Sequence, residues 1–451
     1  MDSFFKSNIK IINPLLDILT KIRRQSSNVM HSDQLFIEFH EKYLPNFSER
    51  IREIIGTDEF VKLYQVIGKN LRASGSTIND NFSENNFFTL AVKIEEICRK
   101  IYKFKSSANQ KTAIVIDAIR NPLEALYFQD RYASFYLLAI SCSEEERKKR
   151  LLNIGYTPQG ISALDEQEGT GQDIDDVDYY STQNIPACLQ RADIYIHNPF
   201  FESKIDKYEF LKRQIVRFTS LMHTPGIVTP SATERCMQIA STAKLNSGCI
   251  SRQVGAVVTD DNYSVKSVGW NDVPSGQVPC NLRNRFDLVE NIDQTAYSDY
   301  EKNDEKFNNH IRQKNKMFTK LIDIGRNPSY CFKSEYKELT NKDNQVHTRA
   351  LHAEENAFLQ VSKYGGTAIN GGYLFSTASP CELCAKKSVQ LGIRKIYYID
   401  PYPGIANTHI LAGGMHRPEM RLFIGAIGRA FHNLYSPVLP YKDEISAFLK
   451  N

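Results

Sequence analysis

The 451-residue sequence predicts a two-domain α/β protein, and three observations lead to this prediction. The length exceeds what one hydrophobic core usually supports. Short apolar segments alternate with helical patterns between residues 112 and 196, which is typical of a parallel sheet. A hairpin pattern and two helix starts that carry histidine and cysteine follow in the C-terminal half. We place the boundary near residues 200–225 and assign 1–205 and 206–451 to the two domains.

The composition indicates a soluble protein without a concentrated basic surface. The chain is 41% hydrophobic and 24% charged, with a formal net charge of +4, which disfavours a nucleic-acid-coating surface. No run of about 18 apolar residues is present, so no membrane-spanning helix is expected. The N-terminus lacks the apolar core of a secretory signal. Nine scattered cysteines favour reduced thiols and a cytoplasmic location.

The N-terminal half begins with helical patterns and continues with alternating strands and helices. Apolar stripes at helical spacing lie at 9–22, 60–71 and 88–97. Strands are predicted at 112–116, 135–140 and 194–196, and helices at 121–131 and from Ser143 onward. This order predicts a doubly wound parallel sheet.

These elements resemble the later portion of a P-loop nucleotide kinase. Asp117 follows an apolar run as a Walker B acid would, Arg147 and Arg150 resemble lid arginines, and 192–198 resembles the last core strand. No G-x-x-x-x-G-K-[ST] stretch occurs in the first 110 residues. Without it, backbone N–H groups cannot converge on a phosphate. The resemblance therefore implies a kinase-like domain, degenerate or truncated, without kinase activity.

The C-terminal half opens with a linking helix at 210–222 and a second helix that begins with a capping box. Ser231 and Glu234 have the spacing of that box. The segments 249–258 and 267–271 then predict the two strands of a hairpin.

A candidate zinc site is formed by four residues that come later in the chain. Cys381 and Cys384 lie three apart at a predicted helix start, and His352 precedes Glu354 by two positions at another. Catalytic zinc takes three protein ligands and a water, and a carboxylate outside that shell can carry protons for the water. The combination of H-x-E with P-C-x-x-C is the pattern of zinc base deaminases. A structural zinc site would need a fourth ligand and would have no use for Glu354.

From about residue 232 to 402 the chain resembles the deoxycytidylate deaminase family. The shared motifs, in order, are Arg-Gln-Val-Gly-Ala, Gly-Trp-Asn, His-Ala-Glu-Glu-Asn-Ala, Pro-Cys-x-x-Cys-Ala-Lys and Gly-Ile-x-Lys-Ile-Tyr-Tyr. Together with the kinase-like half, the chain resembles two-domain anti-phage dCTP/dCMP deaminases. The resemblance implies an α/β/α deaminase domain in which a zinc-bound hydroxide attacks C4 of cytosine. Glu354 would then protonate N3 and the leaving ammonia.

The same resemblance implies substrate contacts. Asn271 would bond the deoxyribose hydroxyl, and backbone at Ala378 and Ser379 would hold the base edge. Arg252 and Lys244 are candidates for the phosphates, with solvated surface charge as the alternative. A further candidate, Tyr402, would pack on the base or sugar, and an ordinary loop aromatic is its alternative.

The sequence differs from the family pattern in two places, one that bears on regulation and one that bears on metal content. Asp272 replaces a glycine of the family's Gly-Tyr-Asn-Gly stretch, and its charge would repel a triphosphate effector, which argues against control by dCTP and dTTP. The long polar segment 277–348 is expected to be an insertion near the site mouth. Four residues in and near it could hold a second, structural zinc, with independent thiols and a surface histidine as the alternative; they are Cys249, Cys280, Cys331 and His347.

Three functions compete at this point. The leading hypothesis is a cytoplasmic enzyme that converts dCTP and dCMP to dUTP and dUMP and drains dCTP during phage infection. The resemblance also implies a homo-oligomer, often a hexamer in this family, with no membrane partner. A deaminase of tRNA or single-stranded DNA would want basic and aromatic tracks along a groove, and the modest charge disfavours it. A nucleotide-sensing regulatory protein is the third, and the complete set of site residues argues against it.

Overall fold

The structure is a computed structural model. It describes residues 29–169, 178–199, 208–342, 345–365, 368–401 and 405–449. The predicted helical stripe at 9–22 and Tyr402 lie outside these residues. The chain divides into two compact units: Met1–Leu137, Cys142–Ala192 and Pro199–Glu202 form the first, and Leu138–Ser141, Asp193–Asn198 and Ser203–Asn451 form the second.

The regular secondary structure in the described residues of the first unit is helical. Its α-helices are α1 (Val29–Glu38), α2 (Leu44–Ile55), α3 (Thr57–Ser74), α4 (Thr89–Ser107), α5 (Pro122–Arg131), α6 (Glu144–Asn153), α7 (Pro158–Gly169), α8 (Asp178–Ser181) and α9 (Ile185–Arg191). Its core holds Ala91, Tyr127 and Phe128. A buried ion pair, with 2.7 Å between Arg72 Nε and Glu124 Oε1, links α3 to α5. The predicted helices at 60–71, 88–97 and 121–131 are confirmed, as is the helix start at Ser143, which forms a capping box with Glu146.

The parallel sheet expected in this half is present only in part. The run at 112–116 forms no strand, and Val115 is 91% exposed, so this β-branched run does not bury its side chains. The two other predicted strands exist as β1 (Leu138–Ser141) and β2 (Ile194–His197), which pair in parallel. Both belong to the second unit, where β2 also pairs with β8 (Gly425–Ala426). Two of the three predicted strands are therefore confirmed and pair in parallel, the one at 112–116 is wrong, and the kinase-like character of residues 1–205 stays a prediction.

The second unit contains a five-stranded sheet that carries the predicted hairpin. Its strands are β3 (Gly255–Thr259), β4 (Val265–Trp270), β5 (Tyr373–Ala378), β6 (Lys395–Asp400) and β7 (Glu419–Leu422). The order is β4-β3-β5-β6-β7. The first two pairings are antiparallel and the last two are parallel.

Helices surround this sheet and extend from it. They are α10 (Glu209–His223), α11 (Ala232–Ala243), α12 (Arg285–Glu290), α13 (Asp299–Asn303), α14 (Glu305–Asp323), α15 (Phe332–Thr340), α16 (Ala353–Tyr364), α17 (Glu382–Gln390), α18 (Gly428–Tyr435) and α19 (Tyr441–Phe448). The predicted linking helix and the Ser231–Glu234 capping box are both confirmed, as α10 and the start of α11. None of the helices in the described residues has the length and apolar character to span a membrane.

Two glycines allow helices to lie directly on both faces of the hairpin. Gly255 is opposite Trp270 and Ala256 is opposite Gly269, so the two glycines face opposite sides of the sheet. A Cβ on Gly255 would lie 2.0 Å from the Ala240 carbonyl oxygen of α11, and one on Gly269 would lie 2.4 Å from the Ala353 carbonyl oxygen of α16. The result is the expected α/β/α arrangement.

The segment between β4 and α16, which contains the insertion predicted at 277–348, is largely helical and has its own core. Apolar side chains from α12 to α15 and the intervening turns form this core, and they are Leu288, Ala296, Tyr297, Phe307, Ile311 and Tyr330. Two buried arginines, Arg283 and Arg285, bond carboxylates of the same insertion. The insertion is therefore a structured module.

Candidate active site

The first turns of two helices bring the predicted metal ligands together. His352 is the N-cap of α16 and Cys381 is the N-cap of α17. Cys384 lies in the first turn of α17, since the Ala385 N–H donates a 2.8 Å helical hydrogen bond to the Cys381 carbonyl oxygen. Since α16 packs on β4 and α17 follows β5, the sheet fixes the separation of the two helix starts.

The three donor atoms have the spacing that a tetrahedral ion requires. His352 Nδ1 lies 3.2 Å from Cys381 Sγ and 3.5 Å from Cys384 Sγ, and all three donors lie within 4.8 Å of one another. A tetrahedron with zinc–ligand distances of about 2.0–2.3 Å has edges of about 3.6 Å. Both cysteines are buried, and two sulfurs with one imidazole are a ligand set that zinc prefers. The residues therefore fit a zinc ion.

The electrostatics of the trio favour a thiolate. A hydrogen bond with Cys384 outweighs burial and, with the bond to His352, lowers the pKa of Cys381 to about 3. The partner thiol changes in the opposite direction, since the same bond and burial raise the pKa of Cys384. The N-terminus of α17 adds the positive end of a helix dipole.

Glu354 lies beside the trio in a closed environment. The residue is 4% exposed, and Ser376 Oγ on β5 donates a 2.9 Å hydrogen bond to its Oε1. Burial raises the pKa of this carboxyl. One carboxylate oxygen is therefore oriented by β5, close to the metal donors and outside their set.

A pocket of about 310 Å³ opens onto these groups, a volume suited to a small molecule. Its lining combines residues from the hairpin, the insertion, α16 and β5; among them are Cys249, Arg252, Asn271, Cys331, Lys333, Ser334, Lys337, His352, Glu354, Ala378, Ser379 and Cys381. Five of the six predicted substrate contacts lie in the described residues, and four of these five line the pocket. The fifth, Lys244, is not among its lining residues in the described chain.

Asn271 is fixed against the backbone that leads into β3. The Val254 N–H donates to its Oδ1 at 2.6 Å, and its Nδ2 donates to the Arg252 carbonyl oxygen at 2.7 Å. The Arg252 side chain forms an ion pair with Asp400 at the end of β6. Sequence reasoning missed Asp400, which is 148 positions from its partner. It also missed Ser376.

The four candidates for a second zinc do not form a metal-ligand cluster in the described residues. Among the described residues, no three of Cys249, Cys280, Cys331 and His347 meet the 4.8 Å separation that the first trio meets. Cys249 and Cys331 instead line the pocket, Cys280 accepts a 3.7 Å contact from Arg349, and His347 packs on Tyr336.

Comparisons with known proteins identify relatives of this chain. A family model described as "Cytidine and deoxycytidylate deaminase zinc-binding region" matches residues 230–400. The deoxycytidylate deaminase of Enterobacteria phage T4 is 30% identical over 166 residues, which are 37% of this chain and 76% of that protein. ComE operon protein 2 of Bacillus subtilis is 43% identical over 54 residues, 12% of this chain and 28% of that protein.

Among solved structures, the chain matches the dCMP deaminase of cyanophage S-TIM5 in complex with dCMP and dUMP. The identity is 22% and the TM-score is 0.26, and the match covers 44% of this chain and 99% of that one.

Proposed function

Since this chain belongs to the family of zinc-dependent deoxycytidylate deaminases, we propose that it hydrolyses free deoxycytidine nucleotides, dCMP and dCTP, to dUMP and dUTP with release of ammonia. One observation carries the proposal. Glu354 is buried and lines the same pocket as His352 and Cys381, which group with Cys384, and one of its oxygens is held by Ser376. This arrangement supplies a metal shell and a separate proton carrier.

The chain's own residues have three tasks in the reaction. A zinc ion held by His352, Cys381 and Cys384 would lower the pKa of water that it binds from about 15.7 toward about 7. Glu354 accepts one proton from the water that adds to C4 of cytosine and delivers it to N3; it then accepts the second proton from the hydroxyl on C4 and delivers it to the exocyclic nitrogen. The C4–N bond then breaks, and ammonia leaves. Asn271 would orient the deoxyribose hydroxyl, and the backbone of Ala378 and Ser379 the base edge.

The test compares products and variants. Purified protein is incubated with dCMP, dCTP, cytidine and single-stranded DNA, and the products are separated by chromatography. We expect uracil products from the deoxynucleotides, and a loss of about 10²- to 10⁴-fold in kcat for Glu354→Gln because the proton carrier is removed. Glu355→Gln is the matched control, since Glu355 pairs with Lys387 outside the pocket. Deamination of the DNA alone would favour the polynucleotide alternative. The proposal would fail if the wild type gave no product from any deoxynucleotide and the Glu354→Gln variant could not be distinguished from it.

We further propose that the activity drains dCTP during phage infection, in the cytoplasm and as a homo-oligomer. The support is the two-domain resemblance and the predicted preference for free nucleotides. Infected bacteria that carry the gene should show a lower dCTP pool than bacteria carrying Glu354→Gln. An equal pool in both strains would contradict this role. Light scattering on the purified protein gives the oligomeric state.

A further inference from the structure

The first unit contains a cavity that the catalytic site does not account for. Its volume is about 640 Å³, which lies within the range of small-molecule sites. Its lining comes from helix α4, from the run at 112–116, and from the end of α5 with the four residues that follow it. All the lining residues belong to the first unit, and none of them lines the catalytic pocket. The cavity is therefore a separate candidate site.

The run at 112–116, which forms no strand, covers part of this cavity. Ile114 and Ile116 line it, while Val115 between them is exposed to solvent. Such alternation is the period of two that an extended chain gives to its side chains. Ile116 also packs against the core around Phe128. The β-branched side chains of the run thus enclose a cavity, although the run pairs with no neighbouring strand.

Aromatic rings form a further part of the lining, and they are Tyr102, Phe128, Tyr132 and Phe135. The rings of Phe128 and Phe135 stack, with their centroids 5.3 Å apart and their planes 23° apart. The ring centroid of Tyr132 lies 6.2 Å from that of Phe128. Contacts between aromatic rings are stabilising beyond the area that they bury. The lining therefore favours a ligand that itself carries an aromatic ring.

The lining also carries a net positive charge. Three of its residues are cations, Arg99, Lys103 and Arg131, and one is an acid, Glu95, so the net charge of the lining is +2 at neutral pH. Arg99 and Lys103 are four residues apart on α4 and lie on the same side of that helix. A cationic ligand would be repelled here, and a neutral apolar ligand would remove water from the cations without supplying a counter-charge. An anionic ligand meets neither cost.

The acid of the lining is held by the protein itself. Glu95 Oε1 accepts hydrogen bonds from Tyr132 at 2.5 Å and from Arg99 at 2.9 Å, and its Oε2 accepts one from Tyr127. These bonds, with that from Tyr127 the strongest, outweigh burial and lower the pKa of Glu95 to about 2. Because Glu95 stays ionised and pairs with Arg99, the two charges balance. The net charge of the lining therefore resides on its two other cations.

We propose that this cavity binds a small organic anion that combines a planar aromatic ring with a carboxylate or phosphate group. The ring packs on Phe128 and Phe135, and the anionic group contacts Lys103 and Arg131. The Arg131 guanidinium lies 3.8 Å from the ring centroid of Tyr127, and a planar guanidinium stacked in this way can still offer N–H groups to two anionic oxygens. The first unit is then a ligand-binding module with a role separate from deamination.

The test uses the full-length protein and measures the binding of small probes by titration calorimetry. The probe 2-naphthoate has both the aromatic ring and the charge, 2-naphthamide has the ring alone, and cyclohexanecarboxylate has the charge alone. We expect 2-naphthoate to bind at least about tenfold more tightly than either analogue, because each analogue lacks one kind of contact. Competition with deoxyadenosine monophosphate then identifies the anionic group. Displacement of 2-naphthoate assigns the site to phosphate-bearing ligands, and failure to displace it assigns the site to carboxylates.

Variants show whether the probe lies in the cavity. For Lys103→Gln and Arg131→Gln we expect the affinity for 2-naphthoate to fall about tenfold each, as for the loss of a charge-assisted contact, while the affinity for 2-naphthamide stays within about twofold. Phe135→Leu, which keeps an apolar side chain and removes the ring, should weaken the binding of both. Lys93→Gln is the matched control, because Lys93 is exposed on the same helix as Lys103 and does not line the cavity.

The proposal is overturned if the wild type does not bind 2-naphthoate, or binds it no more tightly than either analogue. It is also overturned if Lys103→Gln and Lys93→Gln have the same affinity for 2-naphthoate, whether both retain it or both lose it, because the charge at the cavity then has no specific part in binding. Circular dichroism melts show which variants fold, and Lys103→Gln, at an exposed position, decides the matter if Arg131→Gln does not fold. None of these measurements requires deamination, so the outcome is independent of the proposed function.

Discussion

The buried ion pair between Arg283 and Glu301 is expected to hold the insertion together. Both side chains are at most 1% exposed. Glu301 Oε1 accepts from Arg283 and, at 2.7 Å, from Tyr330. Its Oε2 accepts from Ser298 N and Oγ, each at 2.9 Å. The carboxylate is thus surrounded by donors and by one full positive charge.

We predict that Glu301→Gln destabilises the second unit by about 3–5 kcal/mol, the usual cost of leaving one charge of a buried pair without its partner. The amide also places an NH2 group against donors. The cost is expected at the upper end, because two nitrogens of Arg283, Nε and Nη1, are buried without a partner in the described residues. The guanidinium could not compensate by turning to another acceptor that is already nearby.

The effect should depend on pH. Burial alone would raise the pKa of Glu301, but the charge of Arg283 and the hydrogen bonds lower it overall. A group with a depressed folded-state pKa stabilises the fold at pH values above its unfolded pKa, about 4.3. That contribution is lost as the pH falls through the folded-state value. The difference in unfolding free energy between wild type and Glu301→Gln should therefore be largest near neutral pH and shrink in acid.

The assay is urea unfolding followed by the fluorescence of Trp270, the one tryptophan of the chain, which lies on β4 of the second unit. Glu290→Gln, at an exposed position of the insertion, is the control and should change the free energy by no more than about 0.5 kcal/mol. If Glu301→Gln matches this control at pH 7, the reasoning from buried charge is refuted.

Three further predictions concern the site. Gly269→Ala should cost about 1–3 kcal/mol and lower activity, since its Cβ would lie 2.4 Å from the Ala353 carbonyl oxygen and from Ala357 N; an unchanged thermal melt would contradict this. Ser376→Ala should lower kcat about tenfold through the loss of one hydrogen bond to buried Glu354, with dCMP affinity nearly unchanged; an equal change in both would indicate a general packing effect. Chelation should abolish turnover and zinc should restore it, and elemental analysis should give one zinc per chain. Two zinc ions per chain would contradict the conclusion that Cys249, Cys280, Cys331 and His347 do not form a second zinc site.

The local features of the site could be predicted from the sequence. His352 and Cys381 were expected at helix starts, and both are N-caps. The hairpin of 255–270 follows from two short strand-forming runs on either side of the polar turn at 260–262. These features depend on contacts within a few residues, which sequence patterns record directly.

The features that depend on distant contacts were harder to predict. The pairing of Arg252 with Asp400 joins two segments that only the sheet brings together, so charge alone suggested a phosphate ligand. Lys333 and Lys337 lie in a polar insertion without a recognisable motif, and only the tertiary fold places them in the pocket. The run at 112–116 shows the opposite error, since β-branched residues favour a strand only where a neighbouring strand can pair with them.

The pairing of β1 and β2 with β8 has a consequence for dissection of the chain. The residues between β1 and β2 belong to the first unit, so the polypeptide enters the second unit, leaves it and returns. A fragment that begins at residue 206 lacks two of the three strands of this sheet and leaves the Gly425–Ala426 edge without its partner. The protein therefore cannot be divided by one cleavage, and a simple end-to-end gene fusion does not describe how its two units are joined.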